Sequence, residues 1–284
     1  MPGSDSGPGQ PISRPAEARR WALVTGASAG IGAEFCRQLA GQGYSLVLVA
    51  RRRERLEQLA AALQGEHAVE CRVLALDLAD TGASRAIEAS LAESSIHVEF
   101  LVNNAGYGVP GPLTASTWET HSDSLNVMLN SVVELTRRLL PGMQQRRRGF
   151  IVNVASLAGF MPGSAGHTLY GATKAFLIRF SESLAMENLA TGVVVSALCP
   201  GYTYSEFHDV TGSRETVSKI PGWLWMDADE VVRYGIDSVT RHSPRVVAVP
   251  GRTNRLIAML LTKLPYRLVL AITQRQARKW RKQT

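Results

Sequence analysis

Seven short apolar runs punctuate the chain, separated by stretches of helical spacing. The runs lie at residues 21–25 (WALVT), 45–50 (SLVLVA), 71–77 (CRVLALD), 100–106 (FLVNNAG), 150–156 (FIVNVAS), 192–201 (GVVVSALCPG) and 245–251 (RVVAVPG). None alternates apolar with polar positions, so each predicts a strand covered on both faces, as a parallel sheet requires. Helical spacing marks residues 32–39, 51–63 (RRRERLEQLAAAL) and 121–143 between them. This alternation predicts right-handed crossovers and an α/β, doubly wound, seven-stranded parallel sheet flanked by helices.

Neither an internal repeat nor a linker-like stretch interrupts residues 19–251, and one domain is expected there. Residues 1–18 are rich in Pro, Gly and Ser without an apolar run, and read as a disordered leader rather than a secretory signal. Cys36, Cys71 and Cys199 lack metal spacing or an even framework, which points to free thiols in a reducing, cytoplasmic compartment. The six histidines show no zinc-ligand spacing, and no metal is expected.

Charge sharpens the picture at one end only. The net charge is +7, yet no acidic residue follows Asp237, and eleven Lys or Arg lie beyond it. The first 237 residues therefore carry −4, from 20 basic against 24 acidic side chains. A basic terminus on an acidic body argues against a nucleic-acid partner for the body.

The chemistry begins directly after the first run, at Thr25-Gly-Ala-Ser-Ala-Gly-Ile-Gly32. Gly26, Gly30 and Gly32, with Ser28 and Ile31 between them, stand where a strand turns into a helix. Glycines there permit a tight turn and close backbone approach to a pyrophosphate, and the helix N-terminus offers N–H groups to it. In a strand–turn–helix context this is a Rossmann-type dinucleotide loop. The second strand then runs into Arg51, Arg52 and Arg53 with no carboxylate before Glu54. A missing acid and a guanidinium, chiefly Arg51, favour a 2′-phosphate, hence NADP(H) over NAD(H).

Tyr170 and Lys174 are spaced i, i+4 and share one face of a helix. A free phenol titrates near ~10, and a neighbouring ammonium favours its phenolate. Such a tyrosine can give a proton in reduction and take one in oxidation. Ser156, past the end of the fifth run, can hydrogen-bond a carbonyl oxygen where charge develops. A buried tyrosine beside a snorkelling lysine is the plainer structural alternative.

TGASAGIG, Asn103-Asn-Ala-Gly106, Ser156, Tyr170-Gly-Ala-Thr-Lys174 and Pro200-Gly201, in this order, resemble the short-chain dehydrogenase/reductase family over residues 21–250. The resemblance implies carbonyl/secondary-alcohol chemistry with Ser156, Tyr170 and Lys174 as catalytic residues. It also implies cofactor contacts from Asp77, Leu78, Asn104, Gly106, Tyr170, Lys174, Pro200, Gly201, Thr203 and Ser205, with Ser205 replacing a more usual threonine. A homodimer or homotetramer is implied as well. One position departs from the pattern. The family's fourth catalytic residue, an asparagine, aligns with Met128. That asparagine is thought to hold a water linking the lysine to solvent, and a thioether accepts hydrogen bonds only weakly. Asn126 and Asn130 lie about 200° away on an ideal helix.

Residues 202–227 fall where the family closes over its substrate. They carry Phe207, Ile220, Trp223, Leu224, Trp225 and Met226. These aromatics fit an apolar substrate pocket, or a lid packed on the core. His167 and His208 fit its rim. Residues 252–284 form a basic amphipathic extension, broken at Pro265 and too short for a membrane span of ~20 apolar residues. An anionic membrane surface fits this extension, as does packing on the body or on another subunit. The leading expectation is an NADP(H)-dependent oxidoreductase acting on a hydrophobic carbonyl or alcohol. Its alternatives are a non-catalytic NADP(H)-binding sensor and a membrane-recruited scaffold.

Overall fold

A computed structural model describes residues 19–163, 165–206 and 220–280, with side chains to residue 275. The leader at 1–18 and the lid positions Phe207 and His208 lie outside the described residues. Strands β1 (Trp21–Thr25), β2 (Ser45–Ala50), β3 (Cys71–Ala75), β4 (Val98–Asn103), β5 (Gly149–Val154) and β6 (Val193–Leu198) build most of one sheet. Strands β7 (Tyr202–Thr203) and β8 (Trp225–Met226) pair with each other, and β9 (Val247–Ala248) completes the main sheet. Its order is β3-β2-β1-β4-β5-β6-β9 with every pairing parallel, so the doubly wound seven-stranded sheet read from the sequence is the observed one.

Helices α1 (Gly30–Gly41), α2 (Arg53–His67), α3 (Ala83–Glu93), α4 (Trp118–Leu125), α5 (Ser131–Gln145), α6 (Thr168–Glu187) and α7 (Ala228–Thr240) flank this sheet. On one face, Phe35, Cys36 and Leu39 of α1 pack with Val231, Val232 and Ile236 of α7 over β1 and β6. On the other, Ile87 and Leu91 of α3 and Leu135 and Met143 of α5 cover β1, β2 and β4. Each fully buried side chain of this size contributes roughly 1.5–3 kcal/mol. This two-sided cover is the reason the strands read as continuous apolar runs.

Two helical boundaries differ from the sequence reading. The second helix starts at Arg53, so Arg51 and Arg52 lie in the turn after β2 rather than in the helix. The predicted helix over 121–143 is not uniform: a π-helical turn, Asn126–Asn130, joins α4 to α5. Such a turn shifts hydrogen bonding to i→i+5, seen in Ser131 N–H donating to the Asn126 carbonyl. At the end of the chain, α8 (Arg252–Lys263) and α9 (Tyr266–Trp280) follow Gly251 directly and are bent by 115° relative to one another. Pro265 accounts for the break. Ala258 of α8 packs with Ile178 and Val249 of the body.

Candidate active site

At the C-terminal edge of the sheet, a cavity of about 1140 Å³ runs from the glycine loop past α6 to α8. Loops at the carboxyl ends of parallel strands are where this fold places its ligands. Single-ligand pockets span ~300–1,000 Å³, so this one has room for two ligands side by side.

The loop after β1 is built to bring backbone close to a ligand. A side chain at Gly32 would sit 2.2 Å from the Gly26 carbonyl oxygen. Gly30 has φ +52°, and a side chain there would meet Ser205 at 2.9 Å. Helix α1 begins after Ala29, which offers no side-chain cap. Its first N–H groups therefore lack a side-chain acceptor and face the cavity that Ser28, Gly30 and Ile31 line. This uncapped helix end on a glycine cradle fits a pyrophosphate.

Thr25 and Asn104 lock the loop to β4. The Thr25 hydroxyl accepts from the N–H groups of Asn104 and Ala105 at 2.9 and 3.1 Å. The Asn104 amide donates to the carbonyls of Thr25 and Gly26 at 2.9 and 3.3 Å. Asn104 thus both holds this loop and lines the cavity.

At the far end, the arginines divide their work. Arg51 pairs with Asp77 at 3.6 Å, beside Leu78 on the cavity wall. Arg52 donates from Nε and Nη2 to the Ser28 hydroxyl at 3.2 and 3.0 Å. Arg52, not the expected Arg51 alone, is therefore tied to the glycine loop. Glu206 accepts from Arg52 at 3.1 Å and from Arg55 at 2.7 Å. The guanidiniums of Arg55 and Arg52 hold its carboxyl below the usual range. Among the described residues this is the only carboxylate bridging two arginines at the cavity rim, and the sequence reading did not include it.

Ser156, Tyr170 and Lys174 all line the middle of the cavity. Ser156 follows β5; its backbone is extended and its hydroxyl accepts from the Ala158 N–H at 3.1 Å. The Pro200 carbonyl accepts from the Leu157 N–H at 2.9 Å, which ties this turn to the loop after β6. Tyr170 and Lys174 occupy successive turns of α6. A buried network braces that helix. Asn103 donates to Thr136 and Asn153, and Asn153 donates to Ser181 of α6, at 2.8–3.1 Å.

Burial dominates the electrostatics of this pair. Burial pushes the Tyr170 phenol up to about 12, against a lowering by its hydrogen bond with Ser156. Lys174 is buried as well. It is 5% exposed, and burial drops its ammonium to about 8. Its Nζ donates to the Val154 carbonyl at 2.8 Å and lies 5.6 Å from the Tyr170 ring centroid. For each group burial is the largest influence.

Met128 is 1% exposed and sits beside this pair. Its thioether is 3.8 Å from the Thr173 hydroxyl. A side chain on Gly106 would meet Met128 Sδ at 3.5 Å and Lys174 Nζ at 3.7 Å. Asn126 instead donates to the Ala79 carbonyl, and Asn130 donates to Asn126. The π-helical turn thus leaves both asparagines committed away from Lys174.

On the substrate side, Ile220 and Leu224 line the cavity, as do Ile257, Leu261 and Thr273 from α8 and α9. The last three were not foreseen, since periodicity marks an apolar face without naming its neighbour. Trp225 stacks on Tyr204 with ring centroids 4.8 Å apart, while Trp223 is 70% exposed. His167 lines the cavity, and burial lowers its imidazole from the usual value. Gly201 abuts Asn254, which is 3% exposed, and Thr203 is buried beneath Ser205, whose hydroxyl donates to its carbonyl.

Comparisons with known proteins agree with this architecture. The profile of the short chain dehydrogenase family matches residues 20–216, and the chain belongs to that family. A very-long-chain 3-oxoacyl-CoA reductase-B of Danio rerio is 33% identical over 203 residues, covering 70% of this chain and 64% of that protein. The chain thus spans less than two thirds of that relative's length. A sulfoacetaldehyde reductase of Chromohalobacter salexigens is 41% identical over 203 residues, covering 69% and 78%. The solved structure of a short-chain dehydrogenase from Sphingobium yanoikuyae in complex with NADPH superposes with a TM-score of 0.76. That pair is 32% identical, covering 87% of this chain and 96% of that one.

Proposed function

We propose that this protein is an NADP(H)-dependent oxidoreductase that interconverts a carbonyl and a secondary alcohol on a hydrophobic substrate. The observation that carries the reading is the single cavity itself. It joins the uncapped glycine loop and the Ser28–Arg52 pair at one end to Ser156, Tyr170 and Lys174 in the middle and to apolar α8 at the other. The bound nicotinamide supplies or accepts the hydride. Ser28 and Arg52, with Arg51 beside them, are the groups suited to a 2′-phosphate; the NADPH complex of the Sphingobium relative supports that choice.

The side chains divide the remaining work. Ser156 and Tyr170 direct two hydroxyls at the oxygen of the substrate carbonyl. With its phenol raised by burial, Tyr170 is protonated across the neutral range and can donate in reduction. Ser156 steadies the developing charge on the same oxygen. Lys174, an ammonium below pH 8, offsets the negative charge left on the phenolate once Tyr170 has given its proton. Ile220, Leu224, Ile257 and Leu261 exclude water from the distal half of the substrate. For the assembly we propose a homodimer or homotetramer, and for the C-terminal helices contact with an anionic membrane surface.

The test is turnover of apolar ketones and alcohols with NADPH and NADH. Tyr170→Phe should abolish turnover and retain cofactor binding. Tight NADPH binding without turnover on any carbonyl would favour a non-catalytic sensor instead.

A further inference from the structure

The C-terminal hairpin has two apolar faces. Inward, Ile257 and Leu261 of α8 and Thr273 of α9 wall the substrate end of the cavity. Outward, Leu256, Met259, Leu260, Tyr266, Leu268 and Ile272 are 43–64% exposed. Residues 256, 259 and 260 fall at i, i+3 and i+4, which makes one stripe on α8, and residues 268 and 272, at i, i+4, make a second on α9. Scattered exposed leucines are ordinary, but apolar stripes on two consecutive helices mark an interaction surface.

Charge identifies what this surface meets. Arg252, Arg255, Lys263, Arg267 and Arg275 accompany the stripe, and among the described residues none of the five forms an ion pair. No carboxylate lies anywhere beyond Asp237. A second copy docked hairpin to hairpin through a two-fold axis would set these cations against themselves, and the hairpin brings no acidic side chain of its own to answer them. Anionic lipid headgroups answer them all, while the apolar stripe enters the acyl boundary. No single helix among the described residues is long and apolar enough to cross a membrane, and the 115° bend suits a wedge lying in the interface.

We propose that the α8–α9 hairpin seats the protein on an anionic bilayer and admits its substrate from that bilayer. The substrate class follows: an amphiphilic lipid with its carbonyl near the polar end and a long alkyl chain. The helix that carries the membrane stripe at Leu256 and Leu260 carries the cavity wall one residue later, at Ile257 and Leu261. A chain leaving the interface therefore travels about one helix width to meet Ile257 and Leu261, with the carbonyl directed toward Tyr170. The substrate half of this proposal rests on the oxidoreductase reading given above; the docking half does not.

The experiment is co-sedimentation of the full chain with sucrose-loaded vesicles of phosphatidylcholine, with and without 30% phosphatidylglycerol. The expected result is at least tenfold tighter binding to the anionic vesicles, weakened by salt. Leu256→Glu/Leu260→Glu should lose that binding while keeping its melting temperature and NADPH affinity. Arg255→Gln/Lys263→Gln/Arg267→Gln should lose the preference for anionic lipid. On a vesicle-borne long-chain ketone the Glu variant should lose most turnover, while a short soluble ketone is reduced at the parental rate. Equal binding to both vesicle types, or none, overturns the docking whatever the turnover. A Glu variant that turns a dimer into a monomer in sedimentation velocity also overturns it, because the stripe is then an interface between copies. Vesicle binding with no turnover on any carbonyl overturns the oxidoreductase reading alone.

Discussion

Replacing Arg52 by Ala tests the cofactor end of the cavity most sharply. The change removes two hydrogen bonds to Ser28, at 3.2 and 3.0 Å, and one arm of the Glu206 bridge. A hydrogen bond to a charged group contributes about 1.5–3 kcal/mol, or roughly 10–150-fold in affinity. Because the Arg52 side chain is 41% exposed, solvent screening places the effect at the lower end. NADPH should bind about 10- to 30-fold more weakly, by the same conversion, and NADH within twofold of the parent. Glu206→Gln should move the other way. Its carboxylate, held ionised by Arg55 and Arg52, competes with a 2′-phosphate for the same guanidinium. Removing that charge should tighten NADPH severalfold and leave NADH alone. Calorimetric titration of both cofactors into each variant, at two salt concentrations, reads these shifts directly. Equal weakening of NADPH and NADH by Arg52→Ala would show that Arg52 merely braces the loop, and the phosphate assignment would fall.

Other perturbations probe the rest of the site. Lys174→Met should change how stability depends on pH. Burial lowers the folded-state ammonium from 10.5 to about 8, so between those values the unfolded chain binds more protons and this lysine makes stability rise with pH. The parent-minus-variant difference in unfolding free energy should rise by up to about 1.4 kcal/mol per pH unit across that window. A flat difference would contradict the burial assignment. Gly32→Ala places a methyl 2.2 Å from the Gly26 oxygen and should abolish cofactor binding or folding, seen by calorimetry beside circular dichroism. Met128→Asn puts an amide beside Lys174 and Thr173. It should raise turnover where proton transfer limits the rate, at a lower melting temperature. An unchanged solvent isotope effect on kcat would rule Met128 out as the limit on the relay.

The sheet was legible because its strands are buried on both faces and the loops between them carry glycine. That pattern survives without knowledge of tertiary contacts. Ser156, Tyr170 and Lys174 were legible through the ordered set of motifs that resembles the family rather than through the i, i+4 pair alone, and the structure brings all three to one cavity. What stayed hidden depended on packing. Arg51 was legible at the end of β2, but the tie between Arg52 and Ser28 depends on α2 starting only at Arg53. Glu206 lies over 150 residues from the arginines it bridges, beyond any local signal. The π-helical turn at Asn126–Asn130 left no mark in the sequence, although neither asparagine takes the place of Met128, as the spacing suggests. Nor could the spacing of Ile257 and Leu261 show that α8 walls the cavity, because periodicity distinguishes faces without saying what each one meets.

Tyr170 holds the account together, and one measurement bears on it most directly. Purified protein and its Tyr170→Phe variant should be mixed with NADPH and a panel of apolar ketones, with NADPH consumption followed alongside cofactor affinity. The account predicts NADPH-dependent reduction by the parent, and a loss of at least a thousandfold in the variant at unchanged NADPH affinity, on the scale of general acid catalysis of roughly 10²–10⁴-fold. Comparable turnover in both proteins would contradict it.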